Sequence, residues 1–453
     1  MAMPHVDSRQ PIGSERFFYG WFIVAILFFI SIIDGGFTYI FSAFLKPLSQ
    51  EFGWTRAETA GAFSCYLLAT GLVLPFWGWL ADHKGVRLVF LLSALIDGIA
   101  LFLLSYVGSL AAFYALYLFL GIGLGGIGPT TVGKIISQWF VAKRGRAMGI
   151  ALIGAGAGGL VLVPLTGFLI EAFNWRMAYW GLAALALGGM LPLVWFFLTD
   201  QPEERGLTPL GQGNLAVDAS DVTGEHDAEP EGWMLKEALH TPTFWLLGVA
   251  FCLGLMAALA TAAHQVAFLQ DTGLTLESAS TVAGITLGVS MGGRFMVGWA
   301  SERTRHLHPI LACCLVMQAV GIGSLSCLSY LGFWVVVVFA LFFGLGYGGL
   351  VVLWPLVVGH DFGLRAFGAI AGSLGTVSAS LGGAVGPVVV GAIYDHTRSY
   401  FWAFVACTIV LILGAGAALM APELSAVPSR LTPGRAVGPE RETVRGRSAD
   451  TST

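Results

Sequence analysis

The chain alternates long apolar runs with short polar stretches from residue 18 to residue 421. Each run reaches the roughly 20 residues that an α-helix needs to cross the hydrocarbon core of a bilayer. The pattern therefore predicts an all-α integral membrane protein with twelve transmembrane helices. The predicted spans are 18–46, 55–81, 86–107, 110–139, 146–172, 176–199, 243–270, 277–301, 308–330, 333–358, 366–394 and 399–421.

The polar stretches divide the chain into two halves of six helices. The longest internal one, which lies between the sixth and seventh runs, holds ten acidic residues and only two basic ones, Arg205 and Lys236, and this composition is typical of a flexible linker. We predict an N-terminal tail (1–17), an N-terminal half (18–199), a linker (200–241), a C-terminal half (242–421) and a C-terminal tail (422–453).

The two halves carry an internal repeat. The run from Gly78 to Asp82 (GWLAD) ends the second span, and a similar run, GWASE, begins 220 residues later at Gly298 and ends the eighth span. Pro164 in the fifth span and Pro387 in the eleventh are 223 residues apart. Because both copies start on the same side of the membrane, the repeat is parallel, and repeats of this kind place a substrate site between the halves near the bilayer midplane.

Composition excludes several classes of protein. Hydrophobic residues make up 56% of the chain and charged residues 11%, against about 25% charged in ordinary soluble domains, so a soluble enzyme or a disordered chain does not fit. A net charge of −4 offers no basic field for nucleic acid. The six cysteines lie in apolar runs without a CxxC pair. We predict no metal site, no cofactor and no enzymatic activity.

Basic residues predict the orientation. With the N-terminus in the cytoplasm, 17 of the 23 Lys and Arg residues are cytoplasmic and four are outside, as the positive-inside rule requires. Both termini are then cytoplasmic. No small-residue cleavage site follows the first apolar run, so we expect it to be retained as a span of a multi-pass protein of the cell (inner) membrane.

The loop between the second and third spans resembles the signature of the major facilitator superfamily. Its residues are Gly78, Asp82, Lys84, Gly85 and Arg87, with His83 where an arginine is usual. The resemblance implies that this loop controls the change between two conformations. The alternative is that its charges only orient the neighbouring helices.

Finer motifs are similar to those of bacterial monocarboxylate porters and oxalate:formate antiporters. They are Tyr19-Gly20-Trp21, the run WFVAKRGRAMG from Trp139, the run GRFMVGW from Gly293, and YDHTRSY from Tyr394. The resemblance implies a small organic carboxylate as substrate, often moved with a proton. Ala43 stands where animal porters have a lysine, and span eleven lacks the lysine of oxalate exchangers. These departures favour a monocarboxylate.

Arg294 is the strongest candidate for binding the substrate. It lies nine residues before Arg303, about 13 Å from the cytoplasmic end of its helix and so near mid-membrane. A guanidinium at that depth can hold a carboxylate by two parallel hydrogen bonds, and the family uses this arginine. The alternative is a structural arginine permanently paired with an internal acid.

Four further residues are candidates for the site. Asp34, beyond mid-depth in the first span, is a candidate for carrying a coupled proton. His264 in the seventh span corresponds to a cavity histidine of the related porters and is a candidate for both substrate binding and proton transfer. Tyr347 can donate its hydroxyl to the substrate. Lys134 either extends toward the cytoplasmic surface or points into the cavity as a second cation. Asp97, in a span that is usually peripheral, is expected to be a packing contact or a neutral acid contact.

The sequence thus predicts a secondary transporter of small carboxylates, working as a proton symporter by alternating access and present as a monomer in the bilayer. Carboxylate exchange of the oxalate/formate type is the alternative mechanism. A drug or metabolite exporter is less favoured, because an arginine at mid-depth suits an anion. A membrane sensor is also less favoured, because the linker has no recognisable folded domain.

Overall fold

A computed structural model describes residues 18–140, 143–210, 232–304, 306–328, 332–363 and 365–424. The described chain is almost entirely helical. Its twelve long helical segments, numbered here as spans 1 to 12, are Tyr19–Phe52, Arg56–Lys84, Val86–Leu104, Leu110–Trp139, Arg144–Ala172, Trp175–Phe197, Pro242–Asp271, Leu276–Ser301, Leu307–Leu325, Trp334–Phe362, Phe367–Thr397 and Phe401–Met420.

The predicted all-α fold with twelve spans is confirmed. Among the described residues, eleven of the spans are long and apolar enough to cross a membrane. The exception is span 8 (Leu276–Ser301), whose 26 residues give about 39 Å of helix, which is ample length. Its first turn contains Glu277, its interior contains Arg294, and serines and glycines lower its hydropathy further. Span 8 is therefore set apart by its polarity and not by its length.

The predicted polar boundaries coincide with helix caps. Thr55 and Glu58 form a reciprocal capping box at the start of span 2, and the side chains of Asn174 and Thr275 cap spans 6 and 8. Pro242 occupies the first turn of span 7, where its missing N–H leaves no hydrogen bond unmade. In these spans the capping side chain satisfies one of the first N–H groups of the helix, so the helix begins where the polar residue lies.

Several spans are interrupted within the membrane. Span 1 is kinked at Ile40, and span 4 is broken at residues 125–128, between Leu124 and Pro129. Spans 6 and 11 contain π-helical stretches, Leu185–Met190 and Thr376–Gly382. Irregular backbone is tolerated at membrane depth where it is buried in protein or lines a cavity.

Each half contributes helices to a central interface. Span 5 packs against span 8, and span 2 against span 11, across the boundary between the halves. Glycines permit close approach there: a Cβ on Gly167 would lie 2.4 Å from Ser280 Oγ, and one on Gly391 would lie 2.7 Å from the Cα of Ala57. The proline landmarks of the predicted repeat, Pro164 and Pro387, lie inside spans 5 and 11.

The predicted linker and tails are only partly described. In the linker, Pro202–Arg205 forms a 3₁₀ turn and Leu235–Ala238 a short helix. The N-terminal tail 1–17, linker residues 211–231 and residues 425–453 lie outside the described ranges. The loop containing residues 84–86 and the first and last described residues lie at one end of the bundle, called here the basic end. The opposite end, with the loops at residues 53–55 and 272–275, is called the far end.

Candidate functional site

Ion pairs join the two halves at the far end. Lys46 Nζ in span 1 lies 2.8 Å from Asp271 Oδ1 at the end of span 7, and Arg56 Nη2 in span 2 lies 2.6 Å from Asp271 Oδ2. The Arg56 side chain is only 9% exposed, whereas that of Asp271 is 26% exposed. One carboxylate of the C-terminal half thus binds two cations of the N-terminal half.

A second carboxylate caps a helix across the same boundary. Asp395 in span 11 accepts hydrogen bonds from the backbone N–H groups of Arg56 (3.0 Å) and Ala57 (2.9 Å), which are the first residues of span 2. A negative charge is favourable at this position, because unsatisfied N–H groups point outward from a helix N-terminus. Lys46, Arg56, Asp271, Asp395 and Tyr400 are called here the far-end cluster.

His264 lies directly behind the far-end cluster. Arg56 Nη1 donates to the Tyr400 hydroxyl (2.5 Å), which lies 3.0 Å from His264 Nδ1, and His264 Nε2 lies 2.8 Å from the Pro387 carbonyl oxygen. A carbonyl can only accept, so Nε2 carries a hydrogen and Nδ1 accepts from Tyr400. His264, predicted to face the cavity, is fully buried in this conformation, with both ring nitrogens engaged.

Hydrogen bonds between the halves extend from the far end to mid-depth. The hydrogen bond that lies nearest the basic end joins Arg294 Nη1 in span 8 to the Leu152 carbonyl oxygen in span 5, at 3.2 Å. Between described residues, no hydrogen bond or ion pair joins the two six-helix halves nearer the basic end than this one. The described conformation is therefore held closed at the far end.

The guanidinium of Arg294 is not fully hydrogen-bonded at this position. Its side chain is half-buried between the halves, and its Nε is buried without a hydrogen-bond partner. No described carboxylate forms an ion pair with it. A charged group inside a membrane protein is costly unless it is paired, so an unpaired guanidinium indicates a site for an anion.

Two tyrosines bridge the halves beside Arg294. The hydroxyls of Tyr39 in span 1 and Tyr347 in span 10 lie 2.8 Å apart, and Tyr347 interacts electrostatically with Arg294. The Tyr347 ring stacks on Phe343 with centroids 6.0 Å apart. The structure thus places Tyr347, predicted from the sequence, in a hydrogen bond between the halves, and it adds Tyr39 as its partner.

A second polar group lies in the N-terminal half. The Thr38 hydroxyl is 3.1 Å from the Tyr66 hydroxyl, and Tyr66 interacts electrostatically with Asp34 and Asp97. Asp34 is half-buried, and its Oδ1 has no hydrogen-bond partner. Thr38 and Tyr39 are consecutive in span 1, so this group adjoins the Tyr39–Tyr347 bridge.

Lys134 is engaged by the loop motif in this conformation. Its Nζ lies 2.6 Å from Asp82 Oδ1 and 2.7 Å from the Ala81 carbonyl oxygen. The Lys134 side chain is 28% exposed and that of Asp82 is 69% exposed. Of the two alternatives, extension toward the surface is the one that this conformation shows. Spans 2 and 4 are thereby tied at the basic end.

The rest of the motif is built around a half-buried aspartate, Asp200. Gly85 has φ +89°, and a Cβ there would lie 2.1 Å from Asp200 Oδ2. Asp200 accepts from the Arg87 backbone N–H at 2.8 Å, while Arg87 Nη2 donates to the Trp195 carbonyl. Burial raises the pKa of the Asp200 carboxyl, although its bonds to the backbone of Val86 and Arg87 act in the opposite direction.

The other two motif residues lie in the helix of span 2, before the loop. Gly78 is inside span 2 with nothing within 4 Å of a Cβ placed there, and Lys84 is the exposed last residue of that span. Among the described residues, no group of three or more His, Cys, Asp or Glu side chains is arranged to hold a metal ion.

Several functional candidates escaped the sequence analysis. They are the ion-paired residues Arg56 and Asp271, and Tyr39, Tyr66 and Asp200. Tyr39 and Tyr66 are hydroxyls inside apolar runs, a signal that was present in the sequence. Arg56, Asp271 and Asp200 lie at helix ends, where charged residues are common, so their sequence context gave no signal.

Comparison with known proteins decides the family. Residues 27–387 match the family described as Major Facilitator Superfamily. The chain belongs to this superfamily. This confirms the resemblance noted from the loop motif.

This chain is 26% identical over 410 residues to monocarboxylate transporter 12 of Xenopus laevis, and the alignment covers 85% of each chain. It is 27% identical over 433 residues to the probable sulfoacetate transporter SauU of Cupriavidus necator, covering 93% of this chain and 97% of the relative. Its fold is similar to the crystal structure of a bacterial homologue of the human lysosomal transporter Spinster in an inward-facing, unoccupied conformation. The TM-score is 0.71 at 17% identity, over 90% of this chain and 98% of the other.

Proposed function

We propose that this superfamily member transports small organic carboxylates of the monocarboxylate type and moves a proton with each anion. Alternating access occurs by rocking of the two halves about the central site. The observation that carries the proposal is Arg294, a half-buried guanidinium between the halves with a buried Nε that lacks a partner. The names of the relatives, a monocarboxylate transporter and a probable sulfoacetate transporter, support an organic acid as substrate.

A single charge favours a monoanion. Lys134, the second cation that the sequence offered for the cavity, is bound to Asp82, and Lys46 and Arg56 are bound to Asp271. This leaves Arg294 as the cation that we assign to the substrate, with the Tyr347 hydroxyl beside it. A dianion of the oxalate type would need a second cation, so we assign monocarboxylate transport rather than oxalate/formate exchange.

Proton coupling follows from the membrane potential. An anion that enters against a negative-inside potential is opposed by about 2.3 kcal/mol per 100 mV, and a proton moving with it removes this term. We assign Asp34 and His264 as proton-coupling groups, because Asp34 lies in the polar group of the N-terminal half and His264 adjoins the far-end cluster. With both termini cytoplasmic, the far-end closure corresponds to an inward-facing state.

Binding of a carboxylate panel to purified protein tests the assignment of Arg294. Arg294→Ala is expected to weaken binding of a short monocarboxylate about 10- to 150-fold, because hydrogen bonds to charged groups contribute about 1.5–3 kcal/mol. Arg294→Lys should bind weakly too, since an ammonium cannot make the planar two-bond contact. Arg303→Ala is the matched control: its guanidinium stacks on Trp299 at 3.6 Å in the same span.

Wild-type affinity in Arg294→Ala would contradict the proposal. Uptake into proteoliposomes, with and without an inward proton gradient, tests the coupling. Stimulation by the gradient is expected. Uptake that responds only to carboxylate inside the vesicles would instead establish exchange.

A further inference from the structure

Two histidines and an aspartate meet at the basic end of the C-terminal half, away from the proposed substrate site. His308 Nε2 in span 9 lies 2.7 Å from Asp361 Oδ2 in span 10. The other ring nitrogen, His308 Nδ1, lies 3.0 Å from the carbonyl oxygen of Ala421, just after span 12. His360 Nδ1 lies 2.8 Å from Asp361 Oδ1. His308, His360 and Asp361 are called here the histidine cluster.

Both ring nitrogens of His308 face acceptors. A carbonyl oxygen can only accept, so Nδ1 carries a hydrogen that it donates to Ala421. An ionised carboxylate can also only accept, so the contact between Nε2 and Asp361 Oδ2 contains a second hydrogen. That hydrogen belongs to the ring, because an imidazole is a stronger base than a carboxylate. His308 is therefore an imidazolium whose charge is balanced by Asp361.

This ion pair is enclosed by the protein. The His308 side chain is 4% exposed and that of Asp361 is 0% exposed. Asp97 in span 3 is also 0% exposed, but neither of its carboxylate oxygens has a hydrogen-bond partner among the described residues. The pairing of Asp361 is thus a property of its surroundings and not of burial alone. Removing the charge of one partner of an enclosed pair is costly, because the other charge is left uncompensated.

His360 lies between the enclosed pair and water. Its side chain is 35% exposed, and it borders a cavity of about 460 Å³ at the basic end. The other residues that line this cavity are Ser301, Glu302, Arg303, Thr304, Leu307 and Leu356. Water of the cavity therefore reaches the residue next to Asp361, so a proton of the cluster can exchange with this end of the molecule.

The other charged groups around the cluster are exposed. They lie in the loops and chain segments beside it, and they are Glu302, Arg303, His306, Arg365 and Glu423. His306 Nδ1 lies 2.9 Å from Glu423 Oε1, but their side chains are 70% and 40% exposed, and exposed pairs contribute little to stability. Span 7 brings no titratable residue between 242 and 250. His308 is thus the ring of this group whose charge is held away from water.

The histidine cluster joins three helix ends. His308 is the second residue of span 9, Asp361 is the next-to-last residue of span 10, and Ala421 follows the last residue of span 12. Thr243 in span 7 also donates to the Pro422 carbonyl at 2.8 Å. A neutral His308 has one hydrogen for two acceptors. Its lone pair then faces either the carboxylate or the carbonyl, so one of the two contacts becomes repulsive.

We propose that the histidine cluster is a proton-binding site that clamps the basic ends of spans 9, 10 and 12 while His308 is charged, and releases them when His308 is neutral. The released proton passes to water of the cavity beside His360. With both termini cytoplasmic, as the basic residues predict, the clamp responds to cytoplasmic pH. The cluster lies within one half, so the inference stands independently of the proposed carboxylate transport.

Nitrogen NMR of the full chain, purified in detergent with isotope-labelled histidine, tests the charge of His308. The ring nitrogens of an imidazolium and a neutral imidazole differ in chemical shift, and the signals lost in His308→Gln assign the ring. At about pH 7.5 an unpaired histidine, with a pKa near 6.5, is mostly neutral. His308 is expected to give imidazolium signals at this pH, and a neutral ring overturns the proposal.

Asp361→Asn is a second variant for the same measurement. It keeps the shape of the side chain and removes the countercharge, so the imidazolium signals are expected to change to those of a neutral ring. Imidazolium signals that stay unchanged in Asp361→Asn would show that Asp361 does not hold the proton, and would contradict the site.

Thermal unfolding from about pH 6 to about pH 9 tests the clamp. The charged ring stabilises the folded protein, so the wild-type melting temperature is expected to fall as rising pH removes the His308 proton. His308→Gln should melt lower at about pH 6 and lose this part of the pH dependence. His306→Gln, in the exposed pair, is the matched control and should keep the wild-type profile. A wild-type profile in His308→Gln would refute the clamp, whereas carboxylate binding by Arg294→Ala tests the proposed function separately.

Discussion

Replacing Asp271 with asparagine should release the far end of the molecule. This carboxylate binds Lys46 and Arg56 of the opposite half at 2.8 and 2.6 Å. Both contacts join the two six-helix halves, so they exist only when the far end is closed. Asp271→Asn keeps the shape of the side chain and removes the charge. The equilibrium is therefore expected to shift toward the conformation that is open at the far end.

The burial of Arg56 and Asp271 sets the size of the expected shift in this equilibrium. Exposed ion pairs contribute about 0.2–1 kcal/mol, whereas removing one partner of a buried pair costs about 3–5 kcal/mol. Arg56 is 9% exposed and Asp271 26%, and Arg56 keeps its contact with the Tyr400 hydroxyl and its position 3.8 Å from the Tyr394 ring centroid. We expect Asp271→Asn to destabilise the closed conformation by about 1–2 kcal/mol relative to the open one, which shifts the conformational equilibrium about 5- to 30-fold.

Spin labels at Gly108 and Phe333 measure this shift. These residues lie in far-end loops of different halves; Gly108 has no atom within 4 Å of an added Cβ, and Phe333 is 55% exposed. A longer-distance population should grow in Asp271→Asn. Glu51→Gln is the control, because Glu51 pairs with Arg176 at 2.8 Å at the same end but within one half. Equal distance distributions in Asp271→Asn and the wild type would refute the far-end cluster as a gate.

Two further predictions concern the loop motif. Gly85→Ala should lower the free energy of unfolding by about 1–2 kcal/mol, because alanine at φ +89° is strained and its Cβ would lie 2.1 Å from Asp200 Oδ2. Gly78→Ala is the control and should not destabilise the protein, because a Cβ there has nothing within 4 Å. Equal shifts of the melting temperature in the two variants would contradict this prediction. Asp82→Asn, which frees Lys134 at the basic end, should slow proteoliposome uptake more than it weakens carboxylate binding, and parallel losses in both would refute a gating role.

Much of the fold was predictable, because membrane insertion depends on local composition. The twelve spans follow from runs of about 20 apolar residues, and polar residues such as Thr55 and Asn174 cap helices close to the predicted boundaries. The glycine run GIGLGGIGPTT interrupts span 4 at residues 125–128, whereas Trp334–Phe362 stays helical through Pro355 and Gly359. A proline within a membrane helix is tolerated by its neighbours, and those neighbours cannot be identified from local sequence.

The candidate site was predictable only in part. Arg294 and Tyr347 stand out as polar groups within apolar spans, and they lie together between the halves. His264 stood out for the same reason, but its position behind Tyr400 depends on a residue 136 positions away. The choice for Lys134 between the cavity and the surface depended on Asp82, 52 residues earlier.

The sequence by itself determined the class of protein, the number of its spans and the presence of a cation at mid-depth, because these depend on hydropathy along one helix at a time. The tertiary structure decided which charges meet. Lys46 and Asp271 are 225 residues apart, and Arg56 and Asp395 are 339 apart, so only the packing of one half against the other brings them together. The same packing brings Arg294 Nη1 to the Leu152 carbonyl oxygen of the other half and leaves its Nε without a hydrogen-bond partner, and neither contact follows from the hydropathy of one helix.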